Sequence, residues 1–477
     1  MHAFKKITAV SLALSIAGVT GCGGDEEQAS AGTSFKYQSV TGKCQVLAEG
    51  DVYMGIAVSV GGDVWPVAEF IDIANLAVTE INNQGGLGDK GQLGAILCDT
   101  ECLPETGTAV FDELLDAKNS NGIDVPLIVG PSCSYVAVEV IDKAKAANVA
   151  VIGSSTESTE LTSFDDGDYY FRSIASSAQL GTAQGAYLAS EQQLDKLAVL
   201  YPVDAWGPGM AFETSNKFAE VTVAQGCEAG TSDVTGDGED DVLSMNCPTE
   251  IQLLPYRYLD EDNTTPEFDG AAIAAALDNF TTEGQNVGVF LIGYEADTFI
   301  ASLLSEINRQ EWSNGAPYVE LTNTMTTEFW NIVGDSDLLE GIGGITAKAP
   351  DSAAAQHFAE AILAATGSEV QNYWGNLYDA IYLGAAAMAI APDATNGPGV
   401  RDSLRKTGTG TKVSVGDWAG ILAAAQADGQ VDIDGATGPQ DFDANGDVSS
   451  LFTHQRFNSS GQYETSGCWL GDGTPCE

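Results

Sequence analysis

The sequence predicts an α/β protein with two lobes, each built on a parallel β-sheet that helices cover on both faces. Short apolar runs alternate with stretches of helical spacing along most of the chain, which is typical of repeated strand–helix units. The 477 residues exceed what one such sheet and its helices hold, so we expect two lobes. A composition of 44% hydrophobic and 18% charged residues is sufficient for a large buried core.

The first series of elements begins after a polar N-terminal region. Its first helical stretch has apolar residues at 67, 70, 71, 73, 74, 77, 78 and 81, the spacing of one helix face. We predict strands at 52–60, 94–98, 126–129 and 149–152, and helices at 67–82, 105–118, 136–147 and 178–190.

A second series of the same kind begins at residue 197. Here we predict strands at 197–201, 287–292 and 316–319, and helices at 210–224, 271–279 and 298–308. Residues 226–270 interrupt this series with an acidic, glycine-rich insert, which we interpret as a surface excursion.

The N-terminus has the features of an export signal. Lys5 and Lys6 precede an apolar run, 7–19, that is too short to span a bilayer. The run ends in Val-Thr-Gly-Cys at 19–22, which resembles a bacterial lipobox, whose cysteine is diacylated and becomes the first residue of the mature protein. We therefore predict a lipoprotein signal peptide at 1–21, a lipid on Cys22 and a flexible tether at 22–50. The alternative is the signal peptide of a soluble protein, in which Cys22 has no special role.

The charge balance is strongly acidic, with 68 acidic residues against 19 basic ones. There is no basic stripe to meet phosphate groups, which excludes nucleic acid as a partner, and anionic lipid surfaces would repel the chain. The acids are scattered along the sequence rather than gathered in a tail. This pattern indicates a solvated acidic surface suited to a salty medium, where charge repulsion is screened.

Without Cys22 the chain has eight cysteines, an even number, in a protein whose signal directs it to an oxidising compartment. Such a set indicates disulfides rather than metal ligands. Spacing favours two local bridges, Cys227–Cys247 and Cys468–Cys476. Spacing leaves the pairing of the other four open: Cys44, Cys98, Cys102 and Cys133.

Several sequence patterns that often indicate a cofactor, metal or catalytic site are poor candidates for such a site in this chain. GLGDKG at 86–91 fits G-x-G-x-x-G, but it follows a predicted helix and precedes a strand, the reverse of a dinucleotide site. Two Asp-rich loops, at 233–238 and 441–447, begin like EF-hand loops but lack the Glu required at the twelfth position. His357 and His454 lie far in sequence from the hydroxyl-rich loops, so a nucleophile with an adjacent base is poorly supported. We expect no catalytic residue, no metal ion and no cofactor.

Two hydroxyl-rich loops are the best candidates for a ligand site. Ser132-Cys133-Ser134 follows the strand at 126–129, and Ser154-Ser155-Thr156 follows the strand at 149–152. Ligands of open α/β sheets bind at this edge. The first loop also opens a helix, whose unpaired N–H groups and dipole attract an anion. Helix capping is the alternative role for the serines of the first loop, whereas the second loop has no helix nearby to cap.

Seven segments carry a further signal. They are LAVTEINNQGGLGDKGQL at 76–93, CDTECLPETGTAVFDELL at 98–115, IVGPSCSYVAVEV at 128–140, SSTESTELT at 154–162, YYFRSIASSAQLGTAQGAYL at 169–188, NLYDAIYLGAAAMA at 376–389 and GATGPQDFDANGDV at 435–448. In this order they resemble type 1 periplasmic binding proteins, in particular the branched-chain amino acid-binding (leucine-binding-like) family of ABC transporter substrate-binding proteins. The resemblance runs from about residue 52 to 465 and leaves out the insert, the additional cysteines and the C-terminal hairpin.

The resemblance implies two Rossmann-like lobes, joined by three chain crossings, that close on one small molecule without catalysis. It divides the chain into lobe 1 (51–174 and 347–452) and lobe 2 (175–346, with the insert at 226–270). Residues 453–477 return to lobe 2 and end in a hairpin.

The resemblance also implies a ligand site. Cys102 and Cys133 match that family's disulfide, and Ser134 matches a hydroxyl that meets the ligand carboxylate. The other matching positions lie in loops of both lobes: Trp65, Ser155, Thr156, Trp206, Tyr294, Thr322, and either Tyr373 or Trp374, of which we favour Trp374.

Two positions depart from the family pattern. Amino-acid binders of this family hold the ligand ammonium on an acid of the second lobe, whereas the matching position here is Thr322, with Glu320 two residues before it. Glu157 stands in the second ligand loop, where a Thr is common, and it either repels a carboxylate or pairs with an ammonium. The ligand class therefore stays open among amino acids, amides, urea-like compounds and small carboxylates.

We predict from these features a monomeric solute-binding protein, exported and held by a lipid anchor on the periplasmic or outer side of a membrane. It would deliver a small polar ligand to the permease of an ABC importer. The alternative is a sensory module that reports the ligand to a membrane partner.

The lipobox-like segment generates a first test. Replacing Cys22 by Ser removes the acylated sulfur, so we expect the exported protein to move from the membrane fraction to the soluble fraction. Fractionation of cells, with mass spectrometry of the N-terminal peptide, measures the change. A wild-type protein that is already soluble and unacylated would contradict the lipid anchor.

Overall fold

The computed structural model describes residues 37–476 apart from 63–64, 204, 233–241, 257–269, 294–297, 323–326, 334–335 and 349. The first lobe is built on a six-stranded sheet. The elements of this part are β1 (Cys44–Ala48), β2 (Val52–Val58), α1 (Phe70–Asn83), β3 (Leu93–Asp99), α2 (Pro104–Leu115), α3 (Ala117–Asn121), β4 (Leu127–Val129), α4 (Ser134–Ala147), β5 (Ala150–Gly153) and β6 (Tyr170–Arg172). The order across the sheet is β1-β3-β2-β4-β5-β6. Strands β2 to β6 pair in parallel, and β1 pairs antiparallel with β3.

The chain then builds the second lobe. The elements are α5 (Ser177–Ser190), β7 (Lys196–Pro202), α6 (Gly207–Val223), β8 (Glu228–Ser232), β9 (Val242–Asn246), β10 (Ile251–Tyr256), α7 (Gly270–Phe280), β11 (Val287–Leu291), α8 (Thr298–Arg309), β12 (Tyr318–Leu321), α9 (Thr327–Val333), α10 (Ser336–Leu339) and β13 (Gly343–Ala347). Strands β8 and β9 form a separate antiparallel pair.

The remaining residues return to the first lobe and end in the second. The returning elements are α11 (Ala353–Thr366), α12 (Trp374–Ile390), α13 (Gly397–Leu404), β14 (Lys412–Ser414), α14 (Trp418–Asp428), β15 (Asp432–Gly435) and β16 (Gly438–Pro439), followed by β17 (Phe452–Phe457) and β18 (Tyr463–Trp469). The second large sheet has the order β10-β7-β11-β12-β13-β17-β18, in which β17 and β18 are antiparallel. The small sheet β14-β15-β16 stays with the first lobe.

The chain passes between the two large sheets three times. The first crossing is 173–176, the second is 348–352 and the third is 440–451. The first and third run side by side, with a parallel bridge between Ala175 and Val448. Two α/β lobes with parallel sheets and three crossings confirm the fold class predicted from the sequence.

The cores follow from the apolar patterns of the elements. Strand β2, VYMGIAV, is buried along its whole length because helices cover both faces of its sheet. Helix α12 is apolar on nearly every side and is buried along almost all its length, since it packs against α1, α13, α14 and β4. The second lobe has an apolar cluster on each face of its sheet.

Two predicted boundaries differ from the structure. The tether predicted at 22–50 ends earlier, because Cys44–Ala48 forms β1 and is held by hydrogen bonds to β3. The insert predicted at 226–270 is not wholly a surface excursion, since Ile251–Tyr256 forms β10 and extends the large sheet beside β7. The short apolar run IQLLPY of β10 is a strand signal that the acidic surroundings obscured.

The eight cysteines among the described residues form four disulfides. Cys227–Cys247 closes the β8–β9 hairpin and Cys468–Cys476 closes the C-terminal hairpin, as spacing predicted. Cys102–Cys133 is the pair that the family resemblance implied, with its Cα atoms 5.7 Å apart. The pair that the sequence left open is Cys44–Cys98, which joins β1 to β3.

The glycine-rich segment at 86–91 and the Asp-rich loop at 441–447, which the sequence analysis excluded as cofactor and calcium sites, contain turns in the structure. Gly88–Lys90 is a short 3-10 turn between α1 and β3. In the loop at 441–447, the Asp443 carboxylate accepts hydrogen bonds from the N–H groups of Asn445 and Asp447, at 2.8 and 3.0 Å. The described residues contain no cluster of His, Cys, Asp and Glu that could hold a metal ion. The other Asp-rich loop, 233–238, lies outside the described residues. None of the helices in the described ranges has the length and apolar character needed to cross a membrane.

The Cys102–Cys133 bridge generates a stability test. Replacing both cysteines by Ser opens a loop of 31 residues, so we expect the free energy of unfolding to fall by about 3–4 kcal/mol. The matched control is the double Ser variant of Cys468 and Cys476, whose separation of 8 predicts a smaller loss of about 2–3 kcal/mol. Denaturant unfolding measures both. Free thiols at Cys102 and Cys133 in non-reducing peptide maps of the wild type would contradict the bridge.

Candidate functional site

A cleft of about 470 Å³ lies at the carboxyl ends of the parallel strands of both lobes. In each sheet it opens where the strand order reverses direction, between β2 and β4 in the first lobe and between β7 and β11 in the second. Such switch points are where open α/β sheets bind ligands, because the loops diverge there and leave a crevice. The residues that line the cleft are Trp65, Ser132, Cys133, Ser134, Tyr135, Ser155, Glu157, Trp206, Gly293 and Tyr373.

The first hydroxyl loop presents the N-terminus of α4 to the cleft. The residue before the helix is Cys133, and no side chain caps it. The Ser134 hydroxyl instead accepts a hydrogen bond from the Ser158 N–H, at 3.1 Å. The Ser132 hydroxyl accepts one from the Ser59 N–H, also at 3.1 Å. The two serines thus connect loops of the first lobe rather than cap the helix.

The second hydroxyl loop is tied to the first. The Ser155 hydroxyl donates to the Ser132 carbonyl oxygen, at 2.9 Å, and Ser155 lines the cleft. The disulfide between Cys102 and Cys133 adds a covalent tie from the loop after β3, and the Tyr135 hydroxyl donates to the Cys102 carbonyl at 2.6 Å. Loops that follow three different strands therefore hold one another in place around the cleft.

Thr156, predicted to touch the ligand, lies behind the cleft wall. Its hydroxyl shares a hydrogen bond with the Tyr170 hydroxyl, and both side chains are buried. Burial raises the pKa of Tyr170, so this hydroxyl stays neutral and the pair is a fixed structural contact. Side chains alternate along an extended loop, so Ser155 and Glu157 face the cleft while Thr156 points away.

A buried ion pair holds the backbone of the second hydroxyl loop in place. Arg172, at the end of β6, is fully buried, and it pairs with Asp447 of the third crossing at 2.6 Å (Nε to Oδ1) and 2.7 Å (Nη2 to Oδ2). Its Nη1 donates to the carbonyl oxygens of Thr156 and Ser158, at 3.0 and 2.8 Å, and Nη2 also donates to the Thr162 hydroxyl. All five guanidinium N–H donors are used, as a buried arginine requires.

Aromatic side chains form the apolar walls of the cleft. Trp65 and Tyr373 meet edge to face, with ring centroids 5.3 Å apart. Tyr373 has a left-handed backbone, with φ of 68°, immediately before α12. With Tyr373 at the cleft, Trp374 begins the helix and packs in the core of the first lobe. Tyr373 rather than the favoured Trp374 is therefore the aromatic residue of this wall.

Glu157 brings a carboxylate to the cleft. Its side chain is buried, and its Oε2 accepts a hydrogen bond from the Tyr373 hydroxyl at 3.3 Å. Its backbone carbonyl accepts from the N–H of Ser177, at the start of α5 in the second lobe. The residue thus belongs to the cleft, to the aromatic wall and to the junction between the lobes.

The second lobe contributes Trp206 and Gly293 to the lining. Thr322 lies one layer behind, where its hydroxyl donates to the Gly293 carbonyl at 3.2 Å. Glu320 points away from the cleft into the lobe and pairs with buried His454 at 2.7 Å. Tyr294, the remaining predicted contact, lies outside the described residues.

Four residues predicted from the sequence therefore meet at the cleft: Trp65, Ser134, Ser155 and Trp206. Three do not line it, namely Thr156, Thr322 and Trp374. The Arg172–Asp447 pair escaped the sequence analysis, although both residues lie in segments of the family resemblance, FRSIAS and DANGDV. Their separation of 275 residues hides the contact from any local pattern.

Comparisons with known proteins agree with this architecture. Residues 54–241 match the family described as periplasmic binding protein, and residues 262–453 match the receptor family ligand binding region. A curated relative is the leucine-, isoleucine-, valine-, threonine-, and alanine-binding protein of Pseudomonas aeruginosa. It is 27% identical over 187 residues, which are 37% of this chain and 48% of the relative. The matched segment thus spans about half the length of that relative.

Two solved structures share the fold over most of both chains. The leucine binding protein LivK of Thermotoga maritima has a TM-score of 0.63 at 16% identity, and the match covers 87% of this chain and 98% of that one. A solute binding protein of an ABC transporter from Rhodopseudomonas palustris, solved with 3,4-dihydroxy benzoic acid, has a TM-score of 0.60 at 16% identity. That match covers 88% of this chain and 97% of the other.

The fold and the cleft between two lobes are those of a type 1 periplasmic binding protein. Within that class, part of the sequence is similar to curated branched-chain amino acid-binding proteins, and the fold is similar to that of a leucine binding protein. The names of these relatives describe binding proteins rather than enzymes.

The Arg172–Asp447 pair generates a test of how the site is supported. Asp447→Asn leaves a buried guanidinium without its counter-charge, so we expect the free energy of unfolding to fall by about 3–5 kcal/mol. The matched control is Asp112→Asn, which breaks the exposed pair of Asp112 with Lys143 and should cost about 0–1 kcal/mol. Denaturant unfolding of both variants measures the difference, and equal losses would show that the buried pair does not support the fold.

Proposed function

We propose that the protein is an extracytoplasmic solute-binding protein that holds a small, amine-bearing polar molecule between its lobes. The observation that carries this proposal is the charge of the cleft: among the described residues that line it, Glu157 is the only charged one. A buried carboxylate favours a positive partner and disfavours a second negative charge. Amino acids and related amines are therefore preferred over purely anionic ligands such as benzoates.

The lining supports a definite orientation for such a ligand. The ammonium group would lie at Glu157, within reach of the Tyr373 hydroxyl. A carboxylate or other acceptor would lie at the start of α4, where the first N–H groups have no partner within the helix and Ser134 adds a hydroxyl. The apolar part of the ligand would contact Trp65 and Trp206.

The two lobes contribute unequally to these contacts, and this difference explains how a ligand would close the lobes. Most of the lining belongs to the first lobe, and Trp206 and Gly293 belong to the second. A ligand already seated on the first lobe shifts the protein toward a closed form only through contacts that are better in that form. Trp206 supplies the largest such surface among the described residues of the second lobe that line the cleft.

The proposal has two further parts: the protein delivers its ligand to an ABC importer, and a lipid anchor attaches it to the membrane. The similarity to solute binding proteins of ABC transporters supports a permease as partner. The basic and apolar leader with Cys22 supports attachment to the membrane, facing the periplasm or the exterior, and we propose that the chain works as a monomer.

Sensing is the second candidate function. The match of residues 262–453 to the receptor family ligand binding region favours it. Both functions begin with the same binding step and differ in the membrane partner. Genes for a permease and an ATPase beside this one favour transport, whereas a gene for a kinase favours sensing.

The ligand orientation is testable by titration calorimetry with L-leucine, L-alanine and 3,4-dihydroxybenzoate. We expect an amino acid to bind and the benzoate, which lacks an ammonium group, not to bind. Glu157→Gln removes the charge and keeps the shape, so it should cost about 1.5–3 kcal/mol, or about ten- to a hundred-fold in affinity. Ser134→Ala should weaken binding in the same direction, and it should also lower the melting temperature, because the buried Ser158 N–H loses its acceptor.

The matched control for the charge change is Glu139→Gln, an exposed position on α4 outside the cleft lining. It should leave the affinity unchanged. Tighter binding of the benzoate than of both amino acids would contradict an amine-bearing ligand. Unchanged amino-acid affinity in both Glu157→Gln and Ser134→Ala would place the site elsewhere.

A further inference from the structure

Ser158, a fully buried serine just beyond the second hydroxyl loop, makes hydrogen bonds to four different residues. Its N–H donates to the Ser134 hydroxyl at 3.1 Å, and its carbonyl oxygen accepts from Arg172 Nη1 at 2.8 Å. Its hydroxyl accepts from the Glu160 N–H at 3.2 Å and donates to the Ala205 carbonyl oxygen. Every polar group of this residue therefore has a partner, although Ser158 itself does not line the cleft.

The bond to Ala205 joins the two lobes beside the ligand cleft. Ser158 belongs to the first lobe, whereas Ala205 follows β7 in the second lobe. The next residue is Trp206, which lines the cleft, and α6 begins directly after it. The bond from Ser158 therefore holds the backbone that carries an aromatic side chain of the second lobe into the cleft.

A second contact between the lobes lies close to this bond. Gly209, in the first turn of α6, has so little room that a Cβ added to it would lie 1.9 Å from Thr159 Oγ1. The same Cβ would lie 2.8 and 2.9 Å from Thr159 Cγ2 and Cβ, so rotation of the threonine side chain does not relieve the clash. The missing side chain of Gly209 thus allows α6 of the second lobe to approach the ligand loop of the first.

The other end of this network reaches the proposed ligand. Ser134 lines the cleft, and its hydroxyl oxygen accepts from the Ser158 N–H, so its own proton is available to an acceptor on a ligand. Hydrogen bonds in such a chain polarise and strengthen one another. A ligand that accepts from Ser134 therefore strengthens the hold on Ser158, which in turn bonds to the second lobe.

We infer that Ser158 is a positioning residue that couples a ligand seated on Ser134 to closure of the second lobe. Residues 158–159, together with Ala205 and Gly209 opposite them, form what we call the interlobe latch. This inference rests on the proposed function and names the residue through which its closure step acts. The contacts of the latch exist only when the lobes meet, so they stabilise the closed form relative to an open one.

Gly209→Ala tests the latch without changing a hydrogen bond of the first lobe. Alanine is more compatible with a helix than glycine, so we expect α6 to stay folded, which thermal melts check. The added Cβ pushes the lobes apart, so the ligand-free variant should show a larger radius of gyration than the wild type in small-angle X-ray scattering. The matched control is Gly399→Ala on α13, where an added Cβ would meet Asn396 at an ordinary 3.4 Å and should leave the radius unchanged.

Ser158→Ala tests the coupling, because it removes the hydroxyl and keeps the N–H bond to Ser134. We expect the dissociation rate of L-leucine, or of L-alanine if leucine does not bind, to rise about two- to tenfold, the value of one hydrogen bond. The association rate should stay the same, because the latch forms after the ligand is seated. Stopped-flow tryptophan fluorescence measures both rates.

The matched control for this variant is Ser403→Ala on α13. It removes an equally buried hydroxyl, which donates to the Gly399 carbonyl oxygen at 2.8 Å, far from the cleft lining. It should lower the melting temperature as Ser158→Ala does and leave both rates unchanged. An equal rise of the dissociation rate in the two variants would show a general loss of stability and overturn the positioning role.

The scattering and the kinetics separate this inference from the proposed function. An unchanged radius of gyration in folded Gly209→Ala overturns the latch, whether or not an amino acid binds. Unchanged dissociation in Ser158→Ala overturns the coupling and leaves the proposed function intact. If neither L-leucine nor L-alanine binds the wild-type protein, the proposed function fails and the coupling to a ligand fails with it, while the scattering of Gly209→Ala supports or overturns the latch by itself.

Discussion

The buried ion pair between Arg172 and Asp447 is the constraint on which the ligand site depends. A guanidinium withdrawn from water is tolerated only when every donor is satisfied, and here two bonds go to the carboxylate, two to backbone carbonyls and one to a hydroxyl. The carbonyls belong to Thr156 and Ser158, so the loop that carries Ser155 and Glu157 is fixed from beneath. Asp447 belongs to the third crossing and Arg172 immediately precedes the first. The ligand loop and the hinge between the lobes therefore share one rigid support.

The cleft itself is assembled from loops that come from separate parts of the sequence. The disulfide from Cys102 to Cys133, the hydrogen bond from Ser155 to the Ser132 carbonyl and the bond from the Ser158 N–H to Ser134 join three loops of the first lobe. Each tie limits the freedom of a loop that would otherwise lose more entropy when a ligand binds. A preorganised first lobe and a smaller contribution from the second suit a molecule that must bind and then release its ligand.

The position of the acids distinguishes this site from the family pattern. Glu320, near the place where the family keeps its ammonium-binding acid, pairs with His454 inside the second lobe. Glu157 supplies a carboxylate to the cleft from the first lobe instead. This difference in the position of the negative charge shifts the expected position of a ligand amine. The site therefore differs from the family pattern in the placement of its acid rather than in the fold.

The two α/β lobes, the loops that carry the site and the local disulfides could all be predicted from the amino-acid sequence, because apolar spacing and residues after strand ends are local signals. The sequence also identified Trp65, Ser134, Ser155 and Trp206, which meet at the cleft. Only the tertiary structure decided which of two neighbours faces the cleft, Tyr373 rather than Trp374, since this depends on one left-handed backbone position. The pairings of Arg172 with Asp447 and Glu320 with His454 were likewise beyond the sequence, because they join residues 275 and 134 positions apart and arise only when the sheets and crossings come together.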